Sequence, residues 1–340
     1  QTITVTITDV NEADPVITSN GGDATAAISL EENIEAVTTV TATDADGSAT
    51  QTYSITGSDD DALFSIGSSD GVLVFQSAPD FESAADDGAN NTYIVTVTVT
   101  DGTNTDDQTI TVTITDANEA PPVITSNGGD ATAAIDVEEN TTAVTTVTAT
   151  DADGGATQEY SITGGADQAF FSIGSSDGVL IFQANRDFES AADDGANNTY
   201  IVIVTVTDGS STDEQTITVT ITDVNEADPV ITSNGGDATA AISLEENIEA
   251  VTTVTATDAD GSATQTYSIT GSDDDALFSI GSSDGVLVFQ SAPDFESAAD
   301  DGANNTYIVT VTVTDDGAST DAQTITVTIT DVNEADPVIT

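Results

Sequence analysis

Apolar and polar residues alternate strictly in several stretches of this chain. In the run Thr109–Thr115, Ile110, Val112 and Ile114 take every second position, and threonines take the positions between them. A period of two puts alternate side chains on opposite faces of a strand, so this run is predicted to be a half-buried antiparallel strand. Similar runs lie at 37–43, 51–56, 72–76 and 93–100, and turn clusters such as DADG, SSDG and DDGANN separate them.

The whole pattern is repeated along the chain. Residues 1–101 recur letter for letter as residues 215–315, and a diverged copy lies between them. The segment that begins TD and continues NEA starts at Thr8, Thr115, Thr222 and Thr330, at spacings of 107, 107 and 108 residues. Such a period indicates a tandem array.

The repeat predicts the domain organisation. We expect complete repeats at 16–122, 123–229 and 230–337, the final strand and linker of a preceding repeat at 1–15, and the start of a following repeat at 338–340. Because both ends fall inside the pattern, the chain is expected to be an excerpt of a longer array. About seven short strands per repeat, with no helical period, predict an all-β fold of two-sheet sandwiches. Aromatic residues that recur in register are predicted to form the core between the sheets: Tyr53, Phe64, Phe75, Phe81 and Tyr93.

The composition excludes many functions. The chain has 61 Asp and Glu residues, a single Lys or Arg, no His and no Cys, and its formal charge is −60. Nucleic acids and anionic membranes require cationic contacts, so neither is an expected partner. The lack of His and Cys also excludes catalysis by Ser-His or Cys-His pairs. It excludes zinc and haem sites that depend on His or Cys ligands as well. Oxygen ligands remain, and they suit calcium and magnesium.

Acidic residues recur at fixed places at the strand ends that flank each joint between repeats. Eight carboxylates gathered at one joint would repel one another unless cations neutralise them, and this number of hard oxygen ligands suits Ca²⁺ better than Mg²⁺. The joint between the first two complete repeats has eight such carboxylates and one asparagine. Those of the first repeat and its linker are Glu32, Asp80, Glu82, Asp116, Asn118 and Glu119, and those of the next repeat are Asp151, Asp153 and Asp208.

The order of these motifs resembles tandem cadherin repeats. EEN, DFE, the linker DANEA and DAD in the following repeat match the family pattern in order, and YSITG and TATDADG also read like cadherin segments. The resemblance covers essentially the whole chain. It implies seven-stranded, Greek-key, immunoglobulin-like β-sandwiches in an extended rod, with up to three calcium ions at each joint.

The resemblance also implies the ligands. At the first joint they are the residues named above, with Asn118 as a further oxygen donor. The second joint repeats the set with Glu139, Asp187, Glu189, Asp223, Asn225, Glu226, Asp258, Asp260 and Asp315. An incomplete site near the beginning of the chain comprises Asp9, Asn11, Glu12, Asp44, Asp46 and Asp101. One near its end comprises Glu246, Asp294, Glu296, Asp331, Asn333 and Glu334.

Two features depart from the family pattern. The interpretation that many of the acidic residues are only solvated surface also stays open. The second linker acid is Glu119 rather than Asp, and Ala120 stands where the family has Asn. Residues 123–229 contain 19 acidic residues, of which eight lie at motif positions, so the other eleven are expected to form solvated surface. Arg186, the single basic residue, is expected to form a local surface ion pair.

The functional expectation is a calcium-rigidified structural and adhesive array, the stalk of a giant cell-surface adhesin or extracellular fibre. Its acidity and lack of cysteine resemble the extender repeats of large secreted bacterial adhesins, so a bacterial origin and an extracellular or cell-surface location are expected. Neighbouring repeats are the expected partners. The alternative is a filament or sheath subunit that assembles through these repeats. An enzyme is not expected, because residues that recur at every joint are poor candidates for a single active site.

Overall fold

The computed structural model describes residues 1–8, 10–47, 50–154, 157–261 and 264–334. Strands and short 3₁₀ turns are the regular elements of these residues. The first repeat contains β1 (Val16–Ile17), β2 (Thr25–Glu31), β3 (Ala36–Thr39), β4 (Ala42–Thr43), β5 (Thr52–Ile55), β6 (Phe64–Ile66), β7 (Val72–Phe75), β8 (Thr92–Thr100) and β9 (Thr105–Thr115). Its 3₁₀ turns are Ser19–Gly21 and Asp61–Leu63.

The second and third repeats reproduce this order of elements. The second contains β10 (Val123–Ile124), β11 (Thr132–Glu138), β12 (Ala143–Thr146), β13 (Ala149–Thr150), β14 (Glu159–Gly164), β15 (Phe171–Ile173), β16 (Val179–Phe182), β17 (Thr199–Thr207) and β18 (Thr212–Thr222). The third contains β19 (Val230–Ile231), β20 (Thr239–Glu245), β21 (Ala250–Thr253), β22 (Ala256–Thr257), β23 (Thr266–Ile269), β24 (Phe278–Ile280), β25 (Val286–Phe289), β26 (Thr306–Thr314) and β27 (Thr320–Thr330). The further 3₁₀ turns are Gln168–Phe170, Ser233–Gly235, Asp275–Leu277 and Phe295–Ser297.

Each repeat is a sandwich of two sheets. A four-stranded sheet has the order β2-β9-β8-β5, a three-stranded sheet has the order β3-β7-β6, and β1 pairs with β4. The other repeats have equivalent sheets. Nine segments correspond to the predicted seven strands, since a turn at Ser19–Gly21 interrupts the first strand and two residues separate β3 from β4. The all-β sandwich prediction is therefore confirmed.

The pairing of the last strand differs from the sequence prediction. β9 is antiparallel to β8, as expected, but it is parallel to β2, with Thr25 opposite Thr109 and Glu31 opposite Thr115. The period of two is the same in both kinds of ladder, so it does not reveal strand direction. Parallel pairing brings the end of β2 to the end of β9, where the linker to the next repeat begins.

The core lies between the two sheets, where the alternating apolar residues meet. Val97 on β8 and Val112 on β9 have no exposed surface. The rings of Phe64 and Phe75 stack with centroids 4.4 Å apart, and Tyr93 meets Phe75 edge-on at 5.1 Å. These three rings are buried, as the sequence predicts. Sequestering this apolar surface from water is the main source of stability for each repeat.

Arg186 does not lie where the sequence analysis placed it. Its side chain is only 9% exposed and packs on aromatic rings of the second repeat, so the expected surface position is wrong. A guanidinium can stack on aromatic faces while its N–H groups donate within its own plane to a backbone carbonyl, which accounts for its burial here.

The predicted repeat boundaries fall in the linkers, between β9 and β10 and between β18 and β19. These boundaries remain predictions, because the hydrogen-bonded pairing defines where strands lie and not where a domain ends. The proposed start of a following repeat at 338–340 lies outside the described residues. No helix of the described ranges is long and apolar enough to cross a membrane.

Candidate metal centres

A buried glutamate organises the end of each repeat. Glu32 follows β2 directly and is 2% exposed. Its two carboxylate oxygens accept hydrogen bonds from the backbone N–H of Phe81 at 2.7 Å and of Ala117 at 2.9 Å. One side chain thus holds the DFE loop and the linker against the end of β2. The equivalents Glu139 and Glu246 make the same pair of contacts.

Three carboxylates converge beside this glutamate at the first joint. Oxygens of Glu32, Glu82 and Asp116 lie within 4.8 Å of one another. Partial desolvation raises the pKa of Glu82, and the charges of Glu32, Asp116 and Asp153 raise it further, against the lowering effect of a backbone hydrogen bond. Since Asp153 belongs to the following repeat, the acidic cluster spans the joint.

Backbone and side-chain hydrogen bonds fix the following repeat to the linker. Asp153 is 3% exposed, and its Oδ2 accepts from the backbone N–H of Ala120 at 2.8 Å. The Nδ2 of Asn118 donates to the backbone carbonyl of Asp208 at 3.2 Å. Backbone hydrogen bonds from Ser211 and Ser210 hold the pKa of Asp208 below its usual range, so this carboxylate stays ionised.

The second joint has the same arrangement, and there one triad of carboxylates includes a residue of the following repeat. Oxygens of Glu189, Asp223 and Asp260 lie within 4.8 Å of one another, and Asp260 comes from the third repeat. Glu189 also lies in a triad with Glu139 and Asp187. Partial desolvation and then the charges of its neighbours raise the pKa of Glu189. Two overlapping triads around one glutamate can surround more than one cation.

The donor set fits a hard divalent cation. At the first joint, buried oxygens of Asp116, Asp151 and Asp208 have no hydrogen-bond partner among the described residues. At the second joint, Asp258 and Asp315 have the same unpaired oxygens. Unpaired buried carboxylate oxygens are costly without a counter-charge, and no basic side chain lies in these motifs. Six to eight oxygens without nitrogen or sulfur are the ligands that Ca²⁺ prefers.

The structure brings some predicted residues together and separates others. Glu119 turns back within its own repeat and accepts from Asn33 Nδ2 at 3.0 Å, and Asp80 accepts from the backbone N–H of Ser83 at 2.9 Å. Glu226 and Asp187 make the corresponding contacts at the second joint. Among the described residues, neither Asp80 nor Glu119 belongs to a triad at the first joint, so both remain ligands predicted from the motifs.

The two incomplete sites are also partly assembled. Asp46 accepts from the backbone N–H of Glu12 at 2.7 Å, and buried oxygens of Asn11, Asp44 and Asp101 have no hydrogen-bond partner among the described residues. Asp9 lies outside the described residues. Near the other end, triads form at Glu246, Asp294 and Glu296 and at Glu246, Asp331 and Glu334. Asn333 remains a predicted oxygen donor, since the contacts of the described residues do not test this role.

An asparagine beside the buried glutamate was missed by the sequence analysis. Asn33 has a left-handed backbone (φ 61°) and donates its backbone N–H to the carbonyl of Pro79 at 2.9 Å. Its side chain holds Glu119, as described above. Asparagine tolerates this backbone region better than most residues. Its recurrence after the second Glu of every EEN motif was the available signal.

Comparison with known proteins identifies the repeats. The Cadherin domain profile matches residues 26–115, 133–222 and 240–330. The chain is 29% identical over 353 residues to mouse "Cadherin EGF LAG seven-pass G-type receptor 2", with 99% of this chain and 11% of that protein covered. It is 27% identical over 307 residues to human Protocadherin-15, with 87% of this chain and 15% of that protein covered. The chain therefore spans only a small part of these relatives.

Solved structures of cadherin repeats have the same fold as this chain. The mouse Cadherin-23 EC22-24 structure has a TM-score of 0.60 and 21% identity, covering 94% of this chain and all of that one. The protocadherin gammaB7 EC3-6 structure has a TM-score of 0.67 and 24% identity, covering 94% of this chain and 79% of that one. These curated relatives are animal proteins, so the expected bacterial origin is not supported. Because three domain matches cover most of its length, the chain belongs to the cadherin family.

Proposed function

We propose that this chain is a calcium-rigidified adhesive stalk, in which cations at the joints hold successive repeats in a fixed relation. The observation that carries the proposal is the triad of Glu189, Asp223 and Asp260, because it joins one repeat, the linker and the next repeat within 4.8 Å. Cadherin domains bind calcium at inter-repeat junctions as a family, and these acidic clusters lie at such junctions. The cell-surface or extracellular location expected from the sequence is confirmed by the family.

The ligands of the proposed sites are the motif residues at each joint. Glu32, Glu82 and Asp116 would hold cations from one repeat, and Asp151, Asp153 and Asp208 from the next. Three Ca²⁺ ions would bring a charge of about +6 to eight carboxylates and nearly neutralise the joint. The chain's own residues supply the geometry, since backbone N–H groups orient Glu32 and Asp153 before any cation arrives.

The stalk role follows from repetition. The same acidic motifs recur at every joint along the chain, which is expected of a repeated spacer and not of a unique binding tip. An array of such units sets the distance between whatever lies at its ends. Cadherin domains serve adhesion, and the repeated carboxylates are proposed as structural ligands instead of catalytic groups.

The direct test is small-angle scattering of the whole chain in calcium and in calcium-free buffer at constant ionic strength. We expect an elongated rigid profile with calcium and a flexible chain without it. Asp260→Asn should loosen only the second joint in calcium, whereas Asp59→Asn, an exposed position that lies in no triad, should change nothing. Unchanged profiles together with no calcium uptake would contradict the proposal. A calcium-dependent increase in mass would instead favour the filament alternative.

A further inference from the structure

Two cavities lie beside the joints, and each has one predicted calcium ligand, Asp80 or Asp294, among the residues that line it. The first repeat has a cavity of about 260 Å³, and the third repeat has one of about 260 Å³ at the equivalent place. Leu63, Phe75 and Tyr93 line the inner part of the first cavity, and the exposed residues Gln76 and Ser77 line its rim. Apolar walls with aromatic faces and a rim of backbone and side-chain oxygens are typical of a small-ligand site.

In the second repeat a cationic side chain occupies the equivalent place. Arg186 stands at the position of Pro79, which lines the first cavity. Its Cζ lies 5.1 Å from the ring centroid of Phe170, 5.4 Å from Phe182 and 5.9 Å from Tyr200. Its Nε and Nη2 donate to the carbonyl of Ala184 at 2.9 and 2.7 Å. The guanidinium therefore lies among the counterparts of the cavity walls.

The backbone around the cavity is the same whether or not the arginine is present. Asn33 donates its backbone N–H to the carbonyl of Pro79 at 2.9 Å, and Asn140 donates to the carbonyl of Arg186 at 2.9 Å. The two inner rings, Phe75 and Phe182, also correspond. Two of the three rings that contact Arg186, those of Phe182 and Tyr200, thus have counterparts in the other two repeats without that side chain.

A second sequence difference accompanies the arginine. Phe170 in the second repeat replaces Leu63 and Leu277 of the other two. This exchange adds a third aromatic face to the guanidinium, which strengthens the attraction between a cation and aromatic rings. Leucine in the open cavities leaves two rings for a cation and more space for a side chain that enters from outside.

We infer that the cavities of the first and third repeats bind the guanidinium group of an arginine side chain that a partner protein presents. The two rings would stack on the cation, and the carbonyls of Ser77 and Ser291 would accept its hydrogen bonds as the carbonyl of Ala184 does in the second repeat. The chain carries a formal charge of −60, which favours approach of a cationic partner.

The arginine that enters the cavities does not come from a second copy of these residues. The sequence contains one Lys or Arg in total, and that residue, Arg186, is already buried in its own repeat. A second copy of these residues therefore has no free arginine to present. Two cavities 214 positions apart in the sequence would allow two arginine-bearing segments to bind one chain.

The test uses the whole chain saturated with calcium, and N-acetyl-arginine amide as the probe. Leu63 and Leu277 are two of only seven leucines, so methyl NMR reports both cavities in a simple spectrum. We expect saturable shifts of these methyls with a dissociation constant on the order of 10 mM, since one cation on two rings is weakly held. N-acetyl-citrulline amide has the same shape without the charge and should bind at least fivefold more weakly.

Two sets of variants make the result decisive. The combined changes Pro79→Arg and Pro293→Arg place a guanidinium at both cavities as in the second repeat and keep Leu63 and Leu277 as reporters, and binding should be lost. The reverse pair, Phe170→Leu with Arg186→Pro, should open a third site, which the methyls of the introduced leucine would report. Equal binding of the neutral probe, no shift of Leu63 and Leu277 up to about 100 mM probe, or binding retained by the filled variant would each overturn the inference.

Discussion

The two complete joints carry the same acidic motifs but differ in what holds their linker asparagine. At the first joint, Asn118 Nδ2 donates to the backbone carbonyl of Asp208 at 3.2 Å. At the second, one extra residue after Asp315 places Asp316 beside the linker, and Asn225 Nδ2 donates to its carboxylate at 2.7 Å. The proposed ligands thus recur, whereas the contacts that support them change with a single insertion. A charge-assisted hydrogen bond replaces a neutral one at the second joint.

The strongest test of the shared part of the joints is removal of the buried glutamate. Glu32→Ala and Glu139→Ala each leave two backbone N–H groups without their carboxylate acceptor. We expect each to lower the free energy of unfolding of its repeat by about 2–4 kcal/mol. Calorimetry of each variant measures the cost, and the exposed neighbours Glu31→Ala and Glu138→Ala are controls. If Glu32→Ala and Glu139→Ala lowered the free energy of unfolding by different amounts, the buried glutamates would not play the same part at the two joints.

The next test separates the joints by calcium affinity. Glu82→Gln removes one carboxylate from the first joint, and Glu189→Gln removes one from the second. Each should weaken calcium binding at its own joint by about tenfold, which corresponds to about 1.4 kcal/mol. Titration calorimetry checks this, with Asp59→Asn as a control for loss of a single negative charge. If Glu82→Gln and Asp59→Asn weakened binding equally, general electrostatics would explain calcium uptake better than ligation.

The difference between the joints is tested by Asp316→Ala. The variant removes the 2.7 Å hydrogen bond to Asn225, and because both residues lie near solvent the cost should be about 1 kcal/mol or less. Calcium affinity at the second joint should then approach that of the first. Titration of the variant beside the wild-type chain measures the change. A larger loss at the second joint than Glu189→Gln causes would instead make Asp316 a ligand.

The smallest expected effect is a pH dependence in calcium-free buffer. The pKa values of Glu82, Glu189 and Glu296 are raised above their ordinary value in the folded chain, first by partial desolvation and then by neighbouring acids. The folded state therefore binds protons more readily than the unfolded state, and stability decreases as pH rises through these values.

Lowering the pH from about 7 to 5 should thus raise the melting temperature slightly when no calcium is present. Asp101 and Asp208 have lowered pKa values because backbone N–H groups donate to them, so their opposite effect begins only below the ordinary Asp value of 3.8. Thermal melts in resin-treated buffer check the sign. In saturating calcium the increase should disappear, since the cation keeps the same carboxylates ionised. A melting temperature that falls over this range without calcium would contradict the prediction.

Much of the fold was predictable because threonine and valine or isoleucine alternate so strictly on the long strands. β8 was found almost to the residue, whereas the run predicted for β9, 109–115, begins four residues after the strand does. β2 was not found, since its run of Ala26, Ala27 and Ser29 gives weak contrast between its faces. The parallel pairing of β2 with β9 was therefore missed too. Periodicity identifies a strand and its buried face but contains no information on the direction of the neighbour.

The candidate sites were predictable as motifs but not as contacts. Carboxylates at strand ends could be read from the sequence, whereas the supporting role of Asn33 depends on a left-handed backbone that only the structure displays. Arg186 shows the limit of arguments from composition. A lone cation among acids was expected to pair with one of them, but aromatic rings created by the fold provide a buried place for it.

The parallel pairing of β2 with β9 has a mechanical consequence. In a parallel pair, the chain enters one strand and leaves the other at opposite ends of the ladder, so tension along the array pulls the two strands past each other lengthwise. Seven pairs of facing residues, Thr25–Thr109 to Glu31–Thr115, then carry the load together instead of opening one after another. Unfolding under load is governed by the unfolding rate. Each repeat is thus built to resist stretching along the direction in which the array extends.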